Sequence, residues 1–229
     1  MRKISLLGLI GVGSLLFTSA ASATSLINPS EANIAGTVTV TNTSIDFSNL
    51  VVTGPNSGSF AGATNVALQN LVSPSGPQTG AVNVVDFAKF TGGADTVHFD
   101  LQNIFAGVGT NAACGSNTVG NVCTPTGSPF TLIQSAPGQV SIGLSLSGIA
   151  YIGDSASGSS VAPFSFTSQN TMPGTITGII AAANGAGFTN SFSATISATS
   201  AVPEPASYGL LGMGLAAAGM LFRRRKSQN

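Results

Sequence analysis

An all-β body, folded as an antiparallel β-sandwich or jelly-roll-like domain over residues 24–201, is what this 229-residue sequence predicts. Three observations predict it. Apolar and polar residues alternate with period two in run after run, the pattern of strands that bury one face and wet the other. Clusters of Gly, Pro, Asn and Ser punctuate those runs at short intervals. No segment holds a 3.6-residue apolar period for more than two turns. A signal peptide at 1–23 and a C-terminal transmembrane helix flank the body in the expected layout.

The strands are read in order from the alternation. Val38 and Val40 stand between threonines, followed by Ile45 and Phe47. Val82, Val84 and Asp86 share one expected face, with Val85 and Phe87 on the other. Val97, Phe99 and Leu101 alternate with Thr96, His98 and Asp100. The most regular run sets Val140, Ile142, Leu144 and Leu146 against Ser141, Gly143, Ser145 and Ser147. Phe164 and Phe166 come next, then Ile176 with Ile179 and Ile180, then Phe192, Ala194, Ile196 and Ala198 among Ser and Thr. Turns are expected at Gly54-Pro55-Asn56, Pro74 to Pro77, Gly92-Gly93, Pro137-Gly138, Ser157-Gly158 and Pro173-Gly174. With no fixed-period repeat, a solenoid or propeller is not expected.

Composition narrows the function classes. Only 6% of residues are charged, against about 25% in an ordinary soluble domain. Solubility must therefore come from Ser, Thr, Asn and Gly. About a quarter of the body is Leu, Ile, Val or Phe, enough to bury a core. Lys89 is the body's single basic residue, against the acids Glu31, Asp46, Asp86, Asp95, Asp100 and Asp154. An acidic body without a basic patch has nothing to neutralise phosphates, so nucleic acid is not an expected partner.

No catalytic residue, metal site or cofactor is expected. His98 is the only histidine, and Asp95-x-x-His98-x-Asp100 could be drawn as a metal or proton-relay cluster. On a strand, however, His98 and Asp100 share the face opposite Val97, Phe99 and Leu101, which reads as a solvated face. A metal would need a further ligand from elsewhere. Gly153-Asp154-Ser155 has the form of an esterase nucleophile block, but no histidine follows it to act as base. Gly107-x-Gly109-x-x-Ala112 has dinucleotide-fingerprint spacing but opens no helix. A glycosidase asks for two facing acids, for which Asp86 and Asp100 are the nearest candidates. Cys114 and Cys123 are the only cysteines, and in an oxidising compartment they are expected to form a structural disulfide.

The ends carry the address. Met1-Arg2-Lys3, the apolar stretch Ile4–Phe17 and Ala21-Ser22-Ala23 form a secretory signal peptide cut after Ala23, with Ala21 and Ala23 as the small cleavage-site residues. Export by Sec-type machinery follows. At the other end Val202-Pro203-Glu204-Pro205 precedes an uncharged apolar stretch, 206–222, and then Arg223, Arg224, Arg225 and Lys226. As a helix the stretch would reach about 25 Å, at the short end for a bilayer, with the basic cluster snorkelling to the cytoplasmic side. Both termini are then inside and the body outside.

The order of motif, span and basic stop at 202–226 resembles the PEP-CTERM sorting signal of bacterial proteins. That resemblance implies an exosortase as processing partner, with Pro203, Glu204 and Pro205 as the recognised residues. It also implies an inner-membrane precursor, and a final location at the surface or in the extracellular matrix of a Gram-negative-type bacterium. Two prolines keep the motif extended and out of the helix, which suits a protease cleft. The body, with Cys123-Thr124-Pro125 and Gly127-Ser128-Pro129-Phe130 before a strand, is similar to uncharacterised secreted proteins with this tail, and that likeness implies no activity. The expected function is a structural, exopolysaccharide- or biofilm-associated envelope protein and not an enzyme, with exopolysaccharide as a further partner. The alternative is a carbohydrate-binding or adhesive module, for which Tyr151 is the stacking candidate.

Overall fold

Alternation becomes pairing in the computed structural model, which describes residues 30–72, 78–155, 158–171 and 173–199. Its strands are β1 (Ser30–Val40), β2 (Ser44–Ser57), β3 (Asn65–Leu68), β4 (Leu71–Val72), β5 (Gly80–Thr91) and β6 (Val97–Ile104). After a long loop come β7 (Val122–Cys123), β8 (Phe130–Ala136), β9 (Gln139–Ile152), β10 (Ser160–Thr171), the helix α1 (Ile176–Asn184) and β11 (Phe188–Ala198). The expected all-β, antiparallel character holds. The layers differ from the expectation: the strands form a single sheet in the order β3-β5-β6-β9-β10-β11-β1-β2-β4, with β7 and β8 attached beside β9, and not two packed sheets.

One short segment explains why a second layer is unnecessary. β3 pairs with β5 at one end of the sheet, and β4, two residues later, pairs with β2 at the other. Between them the Gln69 amide donates to the Phe87 carbonyl at 2.8 Å, and the Asn70 side chain accepts from the Phe47 amide at 2.8 Å. The sheet therefore curls until its two ends share residues 65–72, and its apolar face lines a single interior. Phe47 of β2 meets Phe87 of β5 edge-on at 6.1 Å across that interior, and Phe164 stacks on Phe166 at 4.5 Å. Such aromatic pairs add about 0.5–1.5 kcal/mol each beyond the area they bury.

Two local departures from the sequence pattern have physical causes. Val84 pairs with Leu101 and Ala88 with Phe99, so Val85, Asp86 and Phe87 all stand across from Asp100. This bulge turns Phe87 into the core beside Ala88 while Val85 stays exposed, so the expected shared face of Val85 and Phe87 does not exist. Ile176 and Ile179 belong to α1 and not to a strand: both are buried three residues apart, and the Thr175 hydroxyl caps the helix by accepting from the Gly178 amide at 3.2 Å. The Gly54-Pro55-Asn56 signal also falls inside β2, where Gly54 takes φ +69° without ending the strand.

The register places the chain's ends. Ser30 pairs with Ala198, and Val40 pairs with Phe188. Both ends of the described chain thus leave from one pole of the curled sheet. The β1–β2 turn and α1 lie at the other pole, the length of an 11-residue strand away, about 36 Å.

Candidate functional site

Four polar side chains that the sequence scatters over three strands meet on the outer face of β5, β6 and β9. Pairing sets His98 beside Tyr151, while the bulge delivers Asp86 against Asp100. His98 Nδ1 lies 2.6 Å from Asp86 Oδ1. A carboxylate accepts there, so Nδ1 carries the proton and Nε2 is the remaining acid–base nitrogen. Asp100 Oδ1 accepts twice, from the Asp86 amide at 2.8 Å and from the Tyr151 hydroxyl at 3.0 Å. The His98 and Tyr151 rings stack, with centroids 5.3 Å apart and planes 9° from parallel. Asp86 holds φ +53°, a left-handed conformation uncommon outside glycine, as the bulge requires.

The expected solvated face is corrected here. Asp100 is only 8% exposed and Tyr151 6%, although both point away from the interior. Burial, followed by the Asp100 carboxylate and then Asp86, holds the Tyr151 phenol well above the ordinary tyrosine range. The phenol stays protonated and donates to Asp100. Its ring is covered, which removes Tyr151 as a surface for stacking a sugar. Asp95 stays in the exposed bend before β6, and among the described residues it makes no hydrogen bond or ion pair with His98. The pairs that form are Asp86–His98 and Asp100–Tyr151, and the Asp95-x-x-His98-x-Asp100 spacing makes no cluster of its own. Chemically, the cluster holds one oriented imidazole and one buried carboxylate whose Oδ1 is already shared by two donors.

The glycine opposite this site is dictated by approach and not by backbone freedom. A Cβ on Gly148 would lie 1.9 Å from the Asp100 carbonyl oxygen and 2.8 Å from the Phe99 ring. β6 and β9 come this close only because position 148 has no side chain.

Cys114, in a short 3₁₀ turn, and Cys123, in β7, form the expected disulfide, with Cα atoms 5.1 Å apart. It closes part of the long loop between β6 and β8. Ala21 and Ala23, Val202 to Pro205, the span at 206–222 and Arg223 to Lys226 lie outside the described residues. Among the described residues no helix is long and apolar enough to cross a membrane, and no group of three His, Cys, Asp or Glu is placed to hold a metal ion.

A second feature was not legible in the sequence: a cleft of about 270 Å³ at the pole opposite the chain ends. Its floor is apolar, including Val40, Phe130, Leu132, Ile179 and Phe188, and its rim carries Asn42, Thr126 and Asn184. Only the assembled sheet brings the β1–β2 turn, the loop before β8 and α1 around one space.

No curated protein and no solved structure matches the chain. Residues 201–226 match the family model described as the PEP-CTERM protein-sorting motif, which marks the chain as an exported, exosortase-targeted protein with a membrane-anchored precursor.

Proposed function

We propose that the body is a non-enzymatic structural component of the bacterial envelope or extracellular matrix, delivered there by its tail. The observation that carries this reading is the sorting motif at 201–226. The curled sheet supports it: its described strand pairs are antiparallel, the outward faces of β9 and β11 are rich in Ser and Thr, and a disulfide suited to an oxidising compartment staples it. Sec-type export and removal of residues 1–23 belong to the same reading, as does association with exopolysaccharide. Its test is the C-terminal mass of the protein recovered from outside the cell. A terminus near Val202–Pro205 is expected. An intact chain through Asn229, retained in the inner membrane of an exosortase-bearing host, would refute it.

Among the described residues, the Asp86–His98 pair is the arrangement that could speak for a hydrolase. Asp100 is occupied by two internal donors, which favours a stabilising role for the cluster. A hydrolytic activity of the full chain that disappears in His98→Ala would overturn that. The second reading, a saccharide-binding or adhesive module, is favoured by the cleft at the far pole.

A further inference from the structure

We propose that the cleft between the β1–β2 turn, the loop at 125–128 and α1 binds an uncharged saccharide of one or two rings. This rests on the module reading above and assigns it a place. Four features select the ligand. First, no Asp, Glu, Lys, Arg or His lines the cleft, so it offers nothing to an ion or to a charged headgroup. Second, the half-buried ring of Phe130 lines the cleft beside aliphatic neighbours, a surface for the C–H face of a sugar ring.

Third, the rim supplies neutral donors and acceptors that are uncommitted. Among the described residues, the side chains of Asn42, Thr126 and Asn184 make no hydrogen bond within the protein. Thr41 and Ser128, also on the rim, are already used to hold their own turns. Two amides and a hydroxyl around an apolar floor match a ligand with hydroxyls at its edge and carbon at its face. Fourth, the cleft's volume of about 270 Å³ fits a compact ligand the size of one or two sugar rings.

The register adds an orientation. The chain leaves toward its tail beyond Ala198, whereas Phe188, at the other end of the same strand, lines the cleft. While the tail is anchored, the cleft opens at the pole remote from the point of attachment.

The test uses the full chain in a zwitterionic, sugar-free detergent. Glucose, galactose, mannose, maltose, cellobiose and lactose are titrated and followed by saturation-transfer NMR and calorimetry, with glucuronic acid as the charged comparison. At least one neutral sugar is expected to bind, and glucuronic acid to bind more weakly. Ala183→Leu, which fills the cleft from α1, should weaken binding by about tenfold or more, and Asn42→Ala and Asn184→Ala should each weaken it by several-fold. Both asparagines are exposed, so these two variants test the site without loading the core. Sugar binding unaffected by all three variants would overturn the cleft assignment and leave the module reading in place. Absence of binding by every neutral sugar would overturn both. Equal or tighter binding of glucuronic acid would overturn the neutral chemistry.

Discussion

Replacing Asp100 by alanine should be the most damaging single change on the outer face, because it strands two donors at once. Asp100 is 8% exposed, and its Oδ1 accepts from both the Tyr151 hydroxyl and the Asp86 amide. A buried donor left without an acceptor costs about 1–3 kcal/mol. Tyr151 is 6% exposed and should lose an amount in the upper part of that range. The Asp86 amide sits in a half-exposed bulge where water can replace the acceptor, so its loss should be smaller. Removing a buried charge returns part of the total, because the carboxylate no longer has to be desolvated. The net expectation is about 2–3 kcal/mol. At about 2–4 °C per kcal/mol for a domain of this size, the unfolding temperature should fall by roughly 4–12 °C. Circular dichroism of the full chain during heating reads this directly. Asp100→Asn keeps an acceptor in place and should lose about half as much. His98→Ala removes the contact to Asp86 and the stack on Tyr151, and should cost about 1–2 kcal/mol, less than Asp100→Ala. If Asp100→Ala melts within about 1 °C of the parent, or loses no more than His98→Ala, the cluster is not a stabilising network and the reasoning fails.

Three further outcomes follow from the same geometry. Tyr151 holds its proton in the folded chain far beyond the point, about pH 10, at which the unfolded chain releases it; the folded state then binds more protons, so stability should fall with rising pH above about 10, by up to about 1.4 kcal/mol per pH unit. Urea midpoints at about pH 9 and about pH 11 measure that slope, and Tyr151→Phe should flatten it. Reducing the Cys114–Cys123 bond, whose partners are 9 positions apart, should cost about 2.5–3 kcal/mol in the chain-entropy account, read as a lower melting temperature in reductant that a Cys114→Ser, Cys123→Ser variant reproduces without reductant. Gly148→Ala places a methyl against backbone and ring, and should destabilise by about 2–4 kcal/mol through a forced separation of β6 and β9; denaturant unfolding within about 0.5 kcal/mol of the parent would show that the approach is not tight.

What could be read from the chain was whatever repeats locally. Val140 to Leu146 against serines, and Phe192 to Ala198 against Ser and Thr, became the inward and outward faces of β9 and β11 as the alternation predicts. The bulge at Asp86 was hidden because Val82-Asn83-Val84-Val85 continues into it without a glycine or proline to mark the break. α1 was hidden because its first five residues, Ile176-Thr177-Gly178-Ile179-Ile180, are β-branched or Gly and read as a strand; Ala181-Ala182-Ala183, the Ile176–Ile179 spacing and the Thr175 cap are the helical signals. The choice between one sheet and two turned on Asn65 to Val72, which pairs with both ends of the sheet and has no sequence feature of its own that requires this. The outer-face cluster depended on register: Asp100 reaches its partners across separations of 14 and 51 residues. The tail is different, because its motif, span and charges are contiguous and need no folding to be read.

The position of β11 has a consequence for the timing of export. β11 lies between β1 and β10, so the first strand of the body waits for the last. Asn33 and Thr195, which share a hydrogen bond, are 162 residues apart. Were the chain to cross the membrane threaded, N-terminus first, it would hold two incomplete arms, β1-β2-β4 and β3-β5-β6-β9-β10, until β11 arrived. Closure of such distant pairs is intrinsically slow, on the order of milliseconds to seconds. In that case closure could begin with Phe188 against Val40, and could be completed only once Ala198 had crossed to meet Ser30. On that route, completion of the body and arrival of the tail at the membrane would be nearly the same event. A processing enzyme that waits for the tail is presented with a domain whose last strand has just become available to lock the rest.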